Sequence, residues 1–197
     1  MPSRRTVNAY SLKREKQQLL LRYLITIPAG VILVFVFPRF EQLTDLHLWY
    51  LLPAWIFLAH LSCALSNLIS YRSLRSSWHL LRSTFLIYWK RTSFVHFQSA
   101  FLTALAEEML FRYVLLNVLV AVTGSTVWAV LLDSIAFTVT HLVFNRGHRR
   151  FVPAVDLFFF SISIAALNLL TGSFYPALIV HWMRNYMLRV LLIKSES

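Results

Sequence analysis

Long apolar runs separated by short basic clusters are the feature that most constrains this chain. Of its 197 residues, 58% are hydrophobic and only 14% are charged. The runs approach the roughly 20 residues that cross about 30 Å of hydrocarbon as a helix. A water-soluble domain of this length has too small an interior to bury them all. The sequence therefore predicts an all-α fold, a polytopic transmembrane helical bundle with lipid as its solvent.

Six apolar runs have about the length of a membrane span. We expect these spans at about 19–37, 46–69, 94–122, 125–144, 152–170 and 173–193. The connections at Thr123–Gly124 and Thr171–Gly172 are so short that each joined pair of spans must be antiparallel neighbours. A mixed basic and aromatic stretch at 71–91 suits a helix that lies in the membrane interface. These features predict one bundle of about six spans.

The polar residues divide the chain into three parts. Residues 1–18 form a basic segment, which we expect to be cytoplasmic. Residues 19–93 comprise the first two spans and the basic interfacial stretch. Residues 94–193 form a membrane core, and all the motifs described below lie in it.

The distribution of charge predicts both an orientation and a partner. The formal net charge is +11, but the basic residues are spread over several clusters, unlike those of one nucleic-acid-binding module. With six spans, fourteen Lys and Arg residues lie on the side that holds both termini, and the opposite loops hold only Arg39. Basic loops favour the cytoplasm and anionic head groups. We expect cytoplasmic termini, a lipid bilayer as partner and no nucleic acid.

Two adjacent glutamates lie inside the third predicted span. Charged groups there cost about 2.5–3.5 kcal/mol each, so chains keep them where they are paired or used. Glu108 and Arg112 are four residues apart and share a helix face, which predicts an ion pair. Glu107 is rotated by about 100 degrees from Glu108 and can face another neighbour. One carboxylate would hold the structure while the other remains available for chemistry.

Two further spans carry polar groups at the same spacing of four residues. Phe137 and His141 lie on one face of the fourth span, which Asn145 continues, and His181 and Asn185 lie on one face of the last. A pocket shared by the three spans would contain a carboxylate, two imidazoles and an amide. A hydrolase needs such groups, because a base deprotonates water and donors hold the oxyanion. By contrast, we interpret the isolated His60 in the second span as a packing or interhelical hydrogen-bond residue.

The ordered motifs Glu-Glu-x-x-x-Arg, Phe-x-x-x-His and His-x-x-x-Asn on successive apolar segments resemble the CAAX protease and bacteriocin-processing family, also called CPBP or Abi. This resemblance implies an intramembrane endopeptidase of the glutamate type. It implies that Glu107 and His141 activate the attacking water, and that His181 and Asn185 stabilise the oxyanion.

The resemblance also implies supporting roles for neighbouring residues and no cofactor. Glu108 and Arg112 would brace the catalytic groups, and we expect Phe137 and Asn145 to support them as well. Zinc remains an alternative, because Glu107, His141 and His181 are also a two-histidine, one-carboxylate set. The sequence lacks the His-Glu-x-x-His motif of soluble metalloproteases.

Several questions of function stay open at this point. The resemblance implies a membrane-associated protein or peptide as substrate: a leader peptide, a prenylated tail or a membrane anchor. The short chain resembles the bacterial members, so we expect the bacterial inner membrane and favour a leader or an anchor. A proton-coupled transporter and a non-catalytic scaffold are the functional alternatives. In a purely structural account, the ion pair is self-neutralising and the histidines bond backbone carbonyls.

Overall fold

The computed structural model describes residues 49–71, 94–144 and 151–195 as continuous ranges, and residues 20, 23–24, 28–29 and 31–32 as isolated positions. Every element in the continuous ranges is helical, which confirms the all-α class. The first predicted span, nearly all of the interfacial stretch and Asn145 lie outside these ranges.

Six α-helices make up the described part of the chain. A short 3-10 turn at Trp49–Leu51 leads into the first helix, and a π-helical segment at Met109–Leu115 joins α2 to α3 without a break. The helices are α1 (Leu52–Tyr71), α2 (Phe94–Glu108), α3 (Leu116–Thr123), α4 (Thr126–Phe144), α5 (Phe151–Thr171) and α6 (Phe174–Ser195). From the second run onward, the bounds predicted from apolar patterning agree with these elements to within about three residues.

Two glycines close the two tight hairpins. Gly124, between α3 and α4, and Gly172, between α5 and α6, both have φ of 63°. This left-handed conformation carries no steric penalty in glycine, which is why glycine so often follows the last turn of a helix. The Gly124 N–H donates to the Val120 carbonyl at 3.0 Å and so caps α3. In each hairpin the two joined helices pack against each other, as the short connections predicted.

Helix α6 lies at the centre of the packing. It contacts α1, α2 and α5, while α4 packs against α3 and α5. The largest cluster of buried side chains includes Trp55, Phe160, Ile164, Tyr186 and Met187. Side chains on α6 are therefore the most enclosed, and this helix carries His181.

Within the described ranges, two helices are long and apolar enough to cross a membrane, judged by length and composition. These segments are Thr126–Val143 in α4 and Ala154–Thr171 in α5, of which 28% and 33% are buried inside the protein. Most residues of these segments are therefore not fully buried, and their exposed apolar side chains include Trp128, Val139 and Phe159. Outward apolar helices are characteristic of a membrane protein. The count of six spans stays a prediction.

Candidate active site

The helix that carries the two glutamates changes its winding directly after them. Residues Met109–Leu115 form π-helical turns, where the sequence analysis assumed a continuous α-helix. The Asn117 side chain donates to the Arg112 carbonyl at 3.1 Å and to the Tyr113 carbonyl at 2.8 Å. These bonds supply a donor to carbonyls in the widened turns. Despite the altered winding, Arg112 still lies close to Glu108.

Glu108 is fully buried and contacts two partners. Its Oε1 accepts a hydrogen bond from His181 Nδ1 at 2.6 Å, and its Oε2 lies 3.4 Å from Arg112 Nε. The ion pair predicted from the four-residue spacing is therefore present. The same carboxylate also fixes the orientation of the His181 ring.

Glu107 lies between the two histidines of the motifs. Its Oε2 is 3.2 Å from His181 Nε2, and its Oε1 is 3.7 Å from His141 Nε2. The side chains of Glu107 and His141 are 23% and 16% exposed, whereas that of His181 is 2% exposed. The structure thus brings together Glu107, His141 and His181, and access to them is from the side of Glu107 and His141.

The hydrogen bonds of the two rings differ. His141 Nδ1 lies 3.0 Å from the Phe137 carbonyl, which only accepts, so Nδ1 donates this bond, and whenever the ring is neutral Nε2 is the acceptor. In His181 each ring nitrogen faces a carboxylate oxygen instead. A proton on each nitrogen of His181 would therefore point toward a carboxylate oxygen.

Phe137 forms an aromatic floor under the site. Its fully buried ring lies 4.3 Å from the His141 ring and 5.9 Å from the His181 ring, measured between centroids. The Arg112 guanidinium carbon lies 4.9 Å from the Phe137 centroid. One ring thus contacts both histidines and the arginine, and the supporting role of Phe137 stays a prediction.

Two residues beside Arg112 were missed by the sequence analysis. Arg112 NH1 lies 3.3 Å from Asp133 Oδ2, and Arg112 NH2 donates to Ser161 Oγ at 3.0 Å and to the Ser161 carbonyl at 3.3 Å. All three side chains are fully buried. Arg112 therefore joins the π segment to α4 and α5. Asp133 is an acid inside an apolar span, so the cost argument that identified Glu107 applies to it as well.

A second buried arginine lies one helical turn beyond His181. Arg184 NH2 donates to Asp156 Oδ2 at 2.6 Å, and Ser66 Oγ donates to the same oxygen at 2.8 Å. The Arg184 guanidinium carbon lies 4.0 Å from the centroid of Phe160. This cluster was not predicted from the sequence, although its charges also lie inside apolar helices.

Asn185 and Asn145 were also predicted to belong to the site. Asn185 lies on α6 one turn after His181, is partly buried, and makes no side-chain hydrogen bond to another described residue. Its role at the oxyanion stays a prediction. Asn145 lies outside the described ranges, so its predicted supporting role is untested. His60 donates from Nδ1 to the Ile56 carbonyl at 2.7 Å.

The zinc alternative named Glu107, His141 and His181. Across the described ranges, no group of three or more His, Cys, Asp or Glu side chains has the arrangement of a metal site. His181 Nδ1 is bonded to Glu108, so only Nε2 of that ring faces the other two side chains. Cleavage in the presence of a chelator tests whether the activity depends on a metal.

The fold and the site together define a class: an apolar helical bundle that keeps carboxylates and imidazoles in contact inside it. The family model for type II CAAX prenyl endopeptidase Rce1-like proteins matches residues 89–187, half of the chain, and the protein belongs to this family. The matched range contains all three motifs, and the family identifies a CAAX protease, a hydrolase. No curated protein and no solved structure matches the chain significantly.

Proposed function

We propose that this protein is a glutamate-type intramembrane endopeptidase that hydrolyses a peptide bond in a membrane-associated protein or peptide. The observation that carries the proposal is the Glu107 carboxylate between two imidazoles, at 3.2 Å from His181 and 3.7 Å from His141. Membership of the CAAX protease family supports the same reaction.

Glu107 and His141 would hold the attacking water. Glu107 Oε1 and His141 Nε2 are both acceptors, and their separation of 3.7 Å allows one water to donate to each at about 2.8 Å. As the water oxygen bonds to the substrate carbonyl carbon, its proton moves to Glu107. When the carbon–nitrogen bond breaks, Glu107 gives that proton to the leaving amine. One water proton thus passes through Glu107 to the amine, and the other stays on the new carboxyl group, without a covalent enzyme intermediate.

His181 and Asn185 would stabilise the oxyanion. His181 Nε2 faces Glu107 in the free protein. When it carries a proton, this N–H would donate a hydrogen bond to the negative oxygen of the tetrahedral intermediate. The bond from Nδ1 to Glu108 holds the ring in place for this donation. Asn185, one turn further along α6, would supply the second donor through its amide.

The cellular setting is proposed from charge and length. Cytoplasmic termini, six spans and the bacterial inner membrane agree with the clustering of basic residues on one side of the predicted topology. The surrounding partner would be the lipid bilayer and not a nucleic acid. A leader peptide or a membrane anchor is our preferred substrate, with the prenylated tail as the third class to test.

Cleavage of tagged substrates from these three classes, co-expressed with the protein, tests the proposal. We expect wild type to cleave one class, and Glu107→Gln, His141→Gln and His181→Gln to lose cleavage while eluting from gel filtration in detergent as wild type does. His60→Gln is the matched control for His141→Gln, because both rings donate Nδ1 to the carbonyl four residues earlier.

A chelator arm separates the two chemistries of the same residues. Cleavage that persists in the chelator supports the metal-free mechanism, and cleavage lost there and restored by added zinc would replace it with a metal site. Equal cleavage by wild type and Glu107→Gln contradicts the proposal. Failure of the folded wild-type protein to cut any of the three classes contradicts it as well.

A further inference from the structure

The His181 ring is flanked by two phenylalanines, each with an arginine beside its ring. The Phe137 centroid lies 5.9 Å from that of His181, and the Phe160 centroid lies 5.3 Å from it, both in edge-to-face geometry. Arg112 is 4.9 Å from the Phe137 centroid, and Arg184 is 4.0 Å from the Phe160 centroid. His181 thus has similar surroundings on two sides.

Arg112 belongs to one of the family motifs, whereas Arg184 does not. The contacts of Arg184 come from the packing of α5 against α6. Asp156 and Phe160 are four residues apart on α5, and His181 and Arg184 are three apart on α6, so each pair shares a helix face. Arg184 bonds Asp156 at 2.6 Å, and Phe160 contacts His181 one turn away. The four side chains form two adjacent contacts between the same two helices.

Helix α1 adds further contacts to the packing of α5 against α6. Ser66 donates to Asp156 Oδ2 at 2.8 Å, and the Cys63 thiol lies 3.7 Å from the Arg184 carbonyl oxygen. Arg184 is 3% exposed and Asp156 is 14% exposed, so water competes little for the ion pair. Arg184, on α6, is therefore held by contacts with α1 and α5, and the Phe160 ring is held between it and His181.

We infer that Arg184 and Asp156 are positioning residues that hold Phe160 against His181 and thereby orient the imidazole toward Glu107 and Glu108. An imidazole rotated about its side-chain bond would no longer face carboxylates with both nitrogens. Contacts on two sides of the ring oppose that rotation, as preorganised sites require. The orientation of the ring follows from geometry alone, whereas its effect on cleavage rests on the proposed function.

This role predicts a specific kinetic effect. Orientation of His181 matters most when charge develops on the substrate oxygen, so its loss should lower kcat and leave KM nearly unchanged. A misplaced catalytic group loses roughly 10- to 100-fold in rate. If the ion pair were purely structural, its removal would instead lower the thermal stability and leave kcat of the folded protein unchanged.

Two variants remove the arrangement in different ways. Phe160→Leu removes the ring and leaves the ion pair. The double variant Arg184→Met with Asp156→Leu removes both charges together, so that no unpaired charge is left buried. Phe174→Leu is the matched control, because Phe174 is also a buried ring of the core but packs on Tyr113 and Tyr175.

The direct readout is the NMR signal of the His181 Nδ1 proton in protein labelled with ¹⁵N-histidine, assigned by its absence from His181→Gln. We expect this signal to shift or broaden in Phe160→Leu and in the double variant but not in Phe174→Leu. We expect Arg184→Lys, which keeps the cation, to lie between wild type and the double variant. On a cleaved substrate, kcat should fall roughly 10- to 100-fold in the first two variants.

The two proposals fail in different ways. An unchanged His181 signal in folded Phe160→Leu and in the double variant would overturn the positioning role, even where wild type cleaves its substrate. A signal that changes as expected supports the positioning role even if wild type cuts none of the substrates. An equal change in Phe174→Leu would also overturn it, because any core substitution would then disturb His181.

Discussion

The two buried arginines of this protein are paired in contrasting ways. Arg112 lies 3.4 Å from Glu108 and 3.3 Å from Asp133, without hydrogen-bond geometry to either carboxylate. Arg184 makes one hydrogen bond of 2.6 Å to Asp156. The first arrangement is loose and shared between two acids, and the second is tight and one to one.

The difference in charge balance explains what each region can do. Around Arg112 there are three carboxylates, those of Glu107, Glu108 and Asp133, facing one arginine and His181. Arg184 and Asp156 neutralise each other. A balanced buried pair is replaceable by apolar side chains, whereas loss of one partner leaves a costly charge. An excess of carboxylates has no such simple replacement, but it leaves one of them available to accept a proton.

The largest expected effect separates Glu107 from the ion-paired acids. Glu107→Gln removes the base and keeps the volume, so we expect kcat to fall about 10²- to 10⁴-fold. Thermal unfolding in detergent should change little, because Glu107 is the most exposed carboxylate of the cluster. The measurement is the initial cleavage rate of the substrate that wild type cuts. A kcat within about twofold of wild type would show that Glu107 is not the catalytic base.

The next effect concerns stability around Arg112. Arg112→Met leaves Glu108 and Asp133 buried without their cation, and we expect a loss of about 3–5 kcal/mol in the free energy of unfolding. Thermal or denaturant unfolding in micelles measures it. Adding Asp133→Asn should recover part of the loss. If Arg112→Met is as stable as wild type, the carboxylates do not depend on this arginine.

The matched experiment on Arg184 should end differently. Arg184→Met alone also leaves one acid unpaired, with an expected loss of about 3–5 kcal/mol. Adding Asp156→Leu should restore most of that stability, since the pair is balanced and the replacement is apolar. A double variant as unstable as the single one would show that the two regions are alike.

The smallest effect compares the two serines. Ser66→Ala removes a bond to Asp156, and Ser161→Ala removes one to Arg112, so each should cost about 1–3 kcal/mol in the free energy of unfolding. The Ser161 carbonyl still accepts from Arg112 after the change, which places Ser161→Ala toward the lower figure. Paired unfolding curves decide the order, and the reverse order would show that the Arg112 contacts are the tighter ones.

Much of the fold was predictable because its signals are local. Apolar runs determine where helices begin and end, and Gly124 and Gly172 stand where the chain must reverse. The convergence of Glu107 with His141 follows from the antiparallel hairpin between them. The number of spans depends on the bilayer as well as on the helices and stays a prediction.

What the sequence analysis missed depends on contacts between helices. The π-helical winding at Met109–Leu115 is a change of hydrogen-bond register, and apolar periodicity does not report it. Asp133, Asp156 and Arg184 were visible as charges in apolar helices. Their partners were not, because a partner on another helix follows from rotation and depth of packing. A motif search therefore finds the reacting groups more easily than it finds the residues that hold those groups in place.

The hairpin closed at Gly124 also constrains the number of residues between the motifs. Glu107 lies seventeen residues before this glycine and His141 seventeen residues after it, so the two arms hold equal numbers of residues, and Met109–Leu115 of the first arm is π-helical. One residue added to a single arm would shift its side chain by about 1.5 Å and rotate it by about 100 degrees. Spacing is thus constrained in addition to residue identity. Sequences that keep both motifs but change this interval on one arm only should lack a working pair.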